Sequence, residues 1–498
     1  MRKQMTVDKT GALINPCTWR SIDWKKANAE VRRLQMRIAK AVQERKHGKV
    51  KSLQWILTHS FHAKAMAVKR VTSNKGKKTP GIDGIIWKGS RTKMQAVISL
   101  RQHGYNAQPL RRIYIPKKDG RKRPLSIPIM YDRAMQALYK LALNPVAETT
   151  ADPNSYGFRE GRSCADAVQA GFNALAKPNS ATWVLEGDIT GCYDNISHAW
   201  LLDNIPLERR ILNQWLCAGY VEKGISFPTR KGTPQGGIIS PTLSNMTLDG
   251  LELAIKSATP RRTRVNFVRY ADDFIITCKS KSLIENTIRP TVVKFLSERG
   301  LTLSPEKTKI TYIKDGFEFL SQHFRKYGKV LRITPSQESI HSLITRLGTT
   351  IRKHVSSPME KLIKKLNSML RGWANYHKHV VSSEIFKCVD NYVYEQLWRM
   401  LHRRHSNKSK GWLIKNYWTA SGKKWVFAVK SKYKGKTNIC KVLRICSIGI
   451  KRHIKIKADA NPYLKKYGRY YWERKHKKEA KVLSHLSARE VRRATNRG

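Results

Sequence analysis

Apolar residues recur at helical spacing in "DWKKANAEVRRLQMRIAKAVQERKHGK", which begins at residue 23. Lys and Arg occupy the other faces, so the spacing predicts a basic amphipathic helix that ends near Gly48. A second helical stretch follows. The segment "TSNKGKKTPGIDG" (72–84) is dense in Gly, Lys and Pro, which fits either a mobile loop lying against phosphates or a plain surface connection. The apolar positions of the first helix are Trp24, Ala27, Val31, Leu34, Ile38 and Val42.

The hydrophobic pattern changes at about residue 110. From there to about 330, β-branched runs such as "RRIYIP", "WVLEGDI", "VNFVRY" and "KITYI" alternate with helical stretches, which indicates a mixed α/β domain. From about 336 the pattern becomes helical and basic, through "ITRLGTTIRKHV", "MEKLIKKLNSMLRGWANYHKHV" and "FKCVDNYVYEQLWRMLHRRH", and predicts a bundle of three helices. Beyond 406 a Lys-rich tract carries interspersed Trp and Tyr, a mixture suited to phosphates and stacked bases.

The overall charge is strongly positive. The chain of 498 residues has 97 Lys plus Arg against 35 Asp plus Glu, a net charge of +62. A field of this size most often meets a nucleic-acid backbone. An anionic membrane surface is the alternative, but the sequence has no apolar run long enough to span a bilayer, and its start lacks a signal-peptide core. We therefore expect a soluble, cytoplasmic protein of bacterial type.

The eight cysteines include no CxxC pair, which argues against a zinc ribbon or finger. Cys440 and Cys446 are the closest pair, and free thiols are the better interpretation in a reducing compartment.

Two adjacent acids interrupt an apolar run in "NFVRYADDFIITC", residues 266–278. The β-type runs on either side are separated by so few residues that they predict a tight hairpin with Asp272 and Asp273 at its tip. Asp is a common turn residue, which is the simpler explanation. However, a second apolar strand in "WVLEGDITGCYDNI" ends at Asp188 in the same way. Since buried carboxylates are costly, the two strand ends predict a shared metal site.

Mg²⁺ fits such a site because it prefers oxygen ligands and usually takes one or two protein carboxylates plus substrate phosphates. Two ions held close together can activate a 3′-hydroxyl and stabilise leaving pyrophosphate, as nucleotidyl transfer requires. Spacing alone does not separate a polymerase from a nuclease.

Eight ordered blocks resemble group II intron-encoded reverse transcriptases and maturases. The resemblance begins at the loop 72–84 and covers nearly the whole chain. It implies an α+β right-hand polymerase with fingers and a palm of mixed and antiparallel sheet, then a helical thumb and a basic DNA-binding region. The implied boundaries are 1–110 for the N-terminal extension and template-binding loop, 111–330 for fingers and palm, 331–405 for the thumb or maturase domain, and 406–498 for the DNA-binding region. The blocks include "RRIYIPKKDGRKRPLSIPIMYDRAMQ", "SYGFREGRSCADAV", "EGDITGCYDNISH", "KGTPQGGIISPTLSN", "RYADDF", "GLTLSPEKTKI", "GFEFLSQHF" and "LRGWANYH".

Transferred position by position, the resemblance implies that Asp188 and Asp272 are the principal metal ligands, with Asp273 beside them and the backbone carbonyl of Ile189 completing the site. Two Mg²⁺ ions are the expected cofactor, with Mn²⁺ as a substitute. Tyr193 matches the aromatic residue that closes under the sugar and excludes a 2′-hydroxyl, although an ordinary core tyrosine is the alternative.

The resemblance also implies the nucleotide contacts. In the predicted hairpin "YIPKKDGRKRP", with its turn at Asp119 and Gly120, Lys117 and Arg123 would contact the triphosphate. Gln235 would lie near the incoming nucleotide, and Lys307 near the primer and active site. Some of the other Lys and Arg side chains in this hairpin are expected to be solvated and to contact no ligand.

The resemblance also implies that exposed Lys and Arg side chains of the thumb bind the parent intron RNA. The aromatic residues of "LRGWANYH" are better explained by packing between helices. The segment "RHIKIKADANPY" (452–463) matches the region that leads into an HNH endonuclease, but its Cys and His ligands are absent from this sequence, so no DNA cleavage is expected.

The sequence therefore predicts an RNA-directed DNA polymerase that binds intron RNA as a maturase, assists splicing and supports retrohoming by target-primed reverse transcription. Its expected partners are intron RNA, an RNA template, primer or target DNA, and dNTPs. Three alternatives stay open at this point. They are a splicing maturase with a vestigial polymerase, a basic structural RNA-binding protein, and a related reverse transcriptase recruited to another task.

Overall fold

The computed structural model describes residues 18–116, 120, 122–421, 424–433 and 436–476. Its first helix begins at Trp24 because the carboxylate of Asp23 accepts hydrogen bonds from the backbone N–H groups of Lys25 and Lys26. The helix ends at Gln43, before the predicted end at Gly48, which lies instead in the first turn of the next helix. The prediction of a stop at Gly48 is therefore wrong, since an exposed helical glycine is tolerated at modest cost. The helices of this region are α1 (Trp24–Gln43), α2 (His47–His59), α3 (Phe61–Ser73) and α4 (Ser90–Ser99).

The loop predicted at 72–84 follows α3 and contains a short 3₁₀ turn, Lys75–Lys78. The buried guanidinium of Arg133 donates to the carbonyls of Thr79 (2.7 Å) and Gly76 (3.2 Å). The loop is thus tied to the long helix that carries Arg133.

The mixed α/β segment is confirmed, and it contains two four-stranded sheets. One has the strand order β2-β1-β4-β5 and the other β6-β7-β3-β8. The long helix α5 packs against α1 and α3 in the largest hydrophobic core. The elements are β1 (Leu110–Pro116), β2 (Lys122–Ile127), α5 (Met130–Thr150), α6 (Cys164–Leu175), β3 (Trp183–Gly187), α7 (Cys192–Asn195), α8 (His198–Asn204), α9 (Arg209–Cys217), β4 (Tyr220–Glu222), β5 (Ile225–Phe227), α10 (Ser240–Leu248), α11 (Leu251–Ala258), β6 (Asn266–Tyr270), β7 (Asp273–Cys278), α12 (Lys281–Leu283), α13 (Arg289–Ser297) and β8 (Lys309–Tyr312).

A small antiparallel sheet, ordered β11-β10-β9, leads to the three helices that the sequence predicted after residue 336. Their apolar faces form a second core, which includes Leu347, Leu366 and Leu397. The elements are β9 (Phe317–Phe319), β10 (Gln322–Tyr327), β11 (Val330–Pro335), α14 (Gln337–Lys353), α15 (Met359–His377) and α16 (Ser383–Arg404).

The second core continues beyond the third helix. Leu413, Phe427 and Ile445 are buried in it together with the helices, so the residues just after 405 share a core with those before it. The last elements are α17 (Lys410–Tyr417), β12 (Trp418–Ser421), β13 (Lys424–Tyr433), β14 (Lys436–Lys441) and α18 (Gly468–Lys475). All cysteines in the described ranges are free thiols, and no helix there has the length and apolar character needed to cross a bilayer.

Candidate active site

The predicted hairpin is present and its turn is as short as a hairpin allows. Tyr270 at the end of β6 pairs with Asp273 at the start of β7, which leaves Ala271 and Asp272 as the two turn residues. Ala271 has a φ of +58°, the left-handed conformation that strained two-residue turns require. Asp272 therefore sits at the tip, and Asp273 is the first residue of the returning strand.

Asp188 lies beside this hairpin because of strand register. β3 pairs with β7 so that Gly187 is opposite Phe274, and the next position places Asp188 next to Asp273. A side chain at Gly187 would collide with the Phe274 ring, 2.2 Å from the position of its Cβ. This close packing is what brings the end of β3 against the turn.

The backbone after Asp188 points toward the same place. The carbonyl of Asp188 accepts from the N–H of Ser304 (2.8 Å), and Thr190 donates to Thr302 (3.0 Å), forming an antiparallel bridge between Ile189 and Leu303. In such a bridge the residue between the two bonds turns its own N–H and C=O the other way. The Ile189 carbonyl consequently faces the side of β7 and the turn.

The electrostatic environment of the cluster raises the pKa of both acids of the hairpin. The pKa of Asp273 is raised to about 7, first because the surrounding protein removes hydration from the carboxylate and then because Asp272 and Asp188 repel its charge. The pKa of Asp272 is also raised, by burial and, among further causes, by Asp188. The ammonium group of Lys307 opposes this repulsion, since it lies 2.8 Å from Oδ2 of Asp188. The cluster thus concentrates negative charge that a cation would stabilise.

These donors fit Mg²⁺. In the described part of the chain no three His, Cys, Asp or Glu side chains are arranged to enclose a metal ion by themselves. Mg²⁺ needs no such enclosure, because it commonly takes one or two carboxylates and completes its octahedral shell with water and phosphate oxygens. Adjacent carboxylates with a carbonyl facing them supply that kind of open, all-oxygen site.

A chain of polar side chains joins the first sheet to α7, the short helix that follows Asp188. The Nε of Arg123 donates to Oε1 of Gln235 (2.8 Å), and Nε2 of Gln235 donates to both carboxylate oxygens of Asp194 (3.1 and 3.2 Å). The backbone carbonyl of Gln235 accepts from the N–H of Ser126 (2.8 Å). The following Gly236 has a φ of +120° and passes so close to Ser126 that a Cβ would lie 2.6 Å from its carbonyl. Arg123 and Gln235 are therefore held together.

Tyr193 lies in α7, one residue before Asp194, and is half-buried. Its pKa is raised by burial and then by the negative charge of Asp272. Lys117, the other predicted triphosphate contact, lies outside the described residues.

Sequence reasoning missed the support beneath the turn. Arg269 is completely buried, with 0% exposure, and forms an ion pair with Asp249. Its Nη1 donates to Oδ1 of Asn245 and to the carbonyl of Ala271, both at 3.3 Å. The available signal was a charged residue inside the apolar run "NFVRYADDF", on the strand that ends at the turn. This guanidinium ties the turn to α10 and the loop after it.

A second support comes from residues 152–163, which we call the seat loop. Its Ser155 forms a parallel bridge with Arg269, through bonds from Arg269 N to Asn154 O (3.0 Å) and from Tyr156 N to Arg269 O (2.8 Å). The next residue, Gly157, lies directly against the turn. A Cβ there would be 2.3 Å from the backbone nitrogen of Ala271. The seat loop thus fixes the turn from behind.

Three models of known families match parts of the chain. Residues 115–324 match the family "Reverse transcriptase (RNA-dependent DNA polymerase)", and residues 19–100 match "N-terminal domain of reverse transcriptase". Residues 340–418 match "Group II intron, maturase-specific domain".

The chain is also similar to individual relatives over most of their length. Protein YkfC of Escherichia coli is 30% identical over 53% of this chain and 82% of its own length. The group II intron-encoded protein LtrA of Lactococcus lactis is 30% identical over 63% of this chain and 68% of its own. A solved telomerase structure from Candida albicans aligns with 62% of this chain and 64% of its own chain at 13% identity. The TM-score of 0.37 is too low to indicate a shared fold. The chain therefore belongs to the group II intron-encoded proteins and combines a reverse transcriptase with an intron maturase domain.

Proposed function

We propose that the chain copies RNA into DNA at the carboxylate cluster, and that Asp188, Asp272 and Asp273, with the carbonyl of Ile189, hold two Mg²⁺ ions, for which Mn²⁺ can substitute. The observation that carries the proposal is the convergence of these oxygens at the ends of β3 and the β6–β7 hairpin. Ions bound there would activate the primer 3′-hydroxyl and stabilise the departing pyrophosphate. Primer extension on an RNA template, with the Asp272 variant described in the Discussion, tests it.

The protein's own groups position the nucleotide. In the ligand-free protein the side chain of Arg123 is hydrogen bonded to Gln235. When a dNTP arrives, its triphosphate offers Arg123 stronger, charged acceptors, and the guanidinium can grip two oxygens at once. Gln235 then stays fixed by its backbone bond to Ser126. Lys117 would contribute a second charge to the triphosphate.

Lys307 is proposed to neutralise negative charge near Asp188 during the reaction. Its ammonium contacts this carboxylate directly in the ligand-free protein. With ions and primer bound, the same ammonium group would lie near the primer terminus and reduce the negative charge collected there.

Tyr193 is the proposed sugar gate. Tyr193→Ala should allow ribonucleotides to be incorporated, because removing the ring opens space for a 2′-hydroxyl. We expect the ratio of kcat/KM for dNTP over rNTP to fall by about 10-fold or more, and Tyr193→Phe to retain it. Single-nucleotide incorporation of dATP and ATP on one RNA template measures both ratios. Equal ratios in the Ala variant and the wild type would contradict the assignment.

We further propose that exposed Lys and Arg side chains, above all on α14–α16, bind the parent intron RNA. The protein would thereby assist splicing of the intron and bring it to a DNA target for target-primed reverse transcription. In this proposal residues 1–110 contact the template, 111–330 form fingers and palm, 331–405 form the thumb, and 406–498 contain the DNA-binding region. The support is the maturase-specific match at 340–418 and the net charge of +62.

Filter binding distinguishes a maturase from a general RNA binder. Affinity for the parent intron should exceed that for an unrelated structured RNA of equal length by about 10³-fold, with both falling steeply as salt increases. Equal affinity for the two RNAs would favour a reverse transcriptase recruited to another task.

A further inference from the structure

The segment 453–474, which we call the C-terminal strap, folds back onto the palm. Ile456, Ala460 and Tyr467 are buried in one hydrophobic core with Ala167 and Val168 of α6. The sequence prediction placed this segment in the DNA-binding region that the resemblance implies. Its apolar residues, however, face the protein interior.

Asp166 is the centre of the attachment. Its side chain is 1% exposed, and Oδ1 accepts from Nε2 of His453 (2.8 Å), the backbone N–H of Ile456 (2.7 Å) and Nη2 of Arg474 (2.7 Å). The other oxygen, Oδ2, accepts hydrogen bonds from the backbone N–H and the hydroxyl of Ser163, and so helps to cap the start of α6. Both ends of the strap therefore converge on one buried carboxylate, and the side chains of His453 and Arg474 are used in internal contacts.

The strap also grips the seat loop. Nη2 of Arg162 donates to the carbonyl of Ala458 (2.7 Å), and the hydroxyl of Tyr463 donates to Oε2 of Glu160 (2.7 Å). Gly161, with a φ of +75°, lies so close to Tyr471 that a Cβ would be 2.7 Å from the ring. These contacts cover the half of the seat loop that follows Gly157.

The first helix joins the same assembly. The guanidinium of Arg32 lies 4.6 Å from the centre of the Tyr463 ring and donates to the carbonyl of Pro462. The strap is thus held between α1 on one side and the palm on the other.

We infer that the C-terminal strap is a positioning element of the polymerase site. It fixes Glu160, Arg162 and Asp166, which set the seat loop. The seat loop pairs with Arg269 and supports Ala271 through Gly157, and Ala271 precedes Asp272 in the two-residue turn. Catalytic geometry tolerates displacements of only a fraction of an ångström, so loosening the strap lowers turnover without removing any group that touches substrate.

A matched pair of arginines in α18 tests this inference. The Arg474 side chain is 16% exposed and bonds to Asp166, whereas that of Arg469 is 90% exposed and bonds to Glu473 of the same helix. Arg474→Gln and Arg469→Gln remove the same charge from the same helix. A DNA-binding role would make the exposed Arg469 at least as important as Arg474, while a positioning role predicts the reverse.

The measurement is primer extension by the full-length chain, with kcat, the dNTP KM and the Kd for a DNA primer annealed to an RNA template, all referred to active protein. We expect Arg474→Gln to lower kcat by about 3- to 10-fold with KM and Kd within about 2-fold of wild type, and Arg474→Lys to restore part of the loss. Arg469→Gln should retain wild-type kcat.

Wild-type kcat in Arg474→Gln would overturn the inference, as would equal losses of primer-template affinity in both glutamine variants with unchanged kcat. Tyr463→Phe, which removes only the bond to Glu160, decides the question if Arg474→Gln does not fold: a lowered kcat supports the inference and an unchanged one overturns it. The inference rests on the proposed role of Asp272. Full activity in Asp272→Ala would refute that role. If only the inference about the strap is wrong, Asp272→Ala is inactive and Arg474→Gln has wild-type activity.

Discussion

Asp272→Ala should abolish Mg²⁺-dependent incorporation of dNTPs, with a loss of about 10³-fold or more in kcat/KM on an RNA template with an annealed DNA primer. The reason is that Asp272 stands at the tip of a two-residue turn, with Asp188 and Asp273 beside it, where its carboxylate would hold the metal ions. Primer extension followed on a sequencing gel measures the loss directly.

Asp315→Ala is the matched control, because Asp315 is an exposed aspartate at a turn away from the cluster. It should retain activity within about 2-fold of wild type. Incorporation by Asp272→Ala at the wild-type rate would refute the metal site. An inactive wild type that still binds intron RNA tightly would instead indicate a maturase with a vestigial polymerase.

Gly157→Ala should have the second largest effect, although Gly157 touches no substrate. Its Cβ would lie 2.3 Å from the nitrogen of Ala271 and 2.9 Å from the carbonyl carbon of Tyr270, and both contacts are with backbone. Since backbone atoms cannot rotate away, the turn itself must move. We expect kcat to fall by about 10²-fold and the free energy of unfolding to decrease by about 2 kcal/mol.

Gly48→Ala provides the comparison for this substitution. Nothing lies within 4 Å of the added Cβ, and Gly48 is in the first turn of α2. Activity should be unchanged and stability slightly increased, because alanine favours the helix. Thermal melting and primer extension on both variants separate displacement of the turn from a general effect of the added methyl group. A Gly157→Ala protein with wild-type kcat would show that the seat loop does not position the turn.

Local patterns predicted the parts of the site that depend on neighbours in sequence. Alternating apolar residues on both sides of "YADD" left room only for a tight hairpin, and the structure has it. The strand that ends at Asp188 was likewise visible as an apolar run followed by an acid. The roles of these acids in metal binding stay predictions.

Contacts between distant segments could not be predicted in this way. The fit of Gly157 against Ala271 depends on a pairing across more than a hundred residues, and the burial of Arg269 depends on Asp249 being present to balance it. Net charge alone does not show how each Lys or Arg of the strap is used, since it does not distinguish Arg474, which bonds to Asp166, from Arg469, which faces solvent. The helix end predicted at Gly48 failed because glycine does not by itself terminate a helix.

The position of the strap in the chain has a consequence for biosynthesis. Arg474 leaves the ribosome about 200 residues after Asp272, which at about 5–20 residues per second is a delay of roughly 10 to 40 s. During this interval a nascent chain can display the surfaces of its N-terminal helices and of α14–α16 while the seat loop still lacks its outer contacts. Translation order would then let the emerging protein engage RNA before it can copy RNA efficiently.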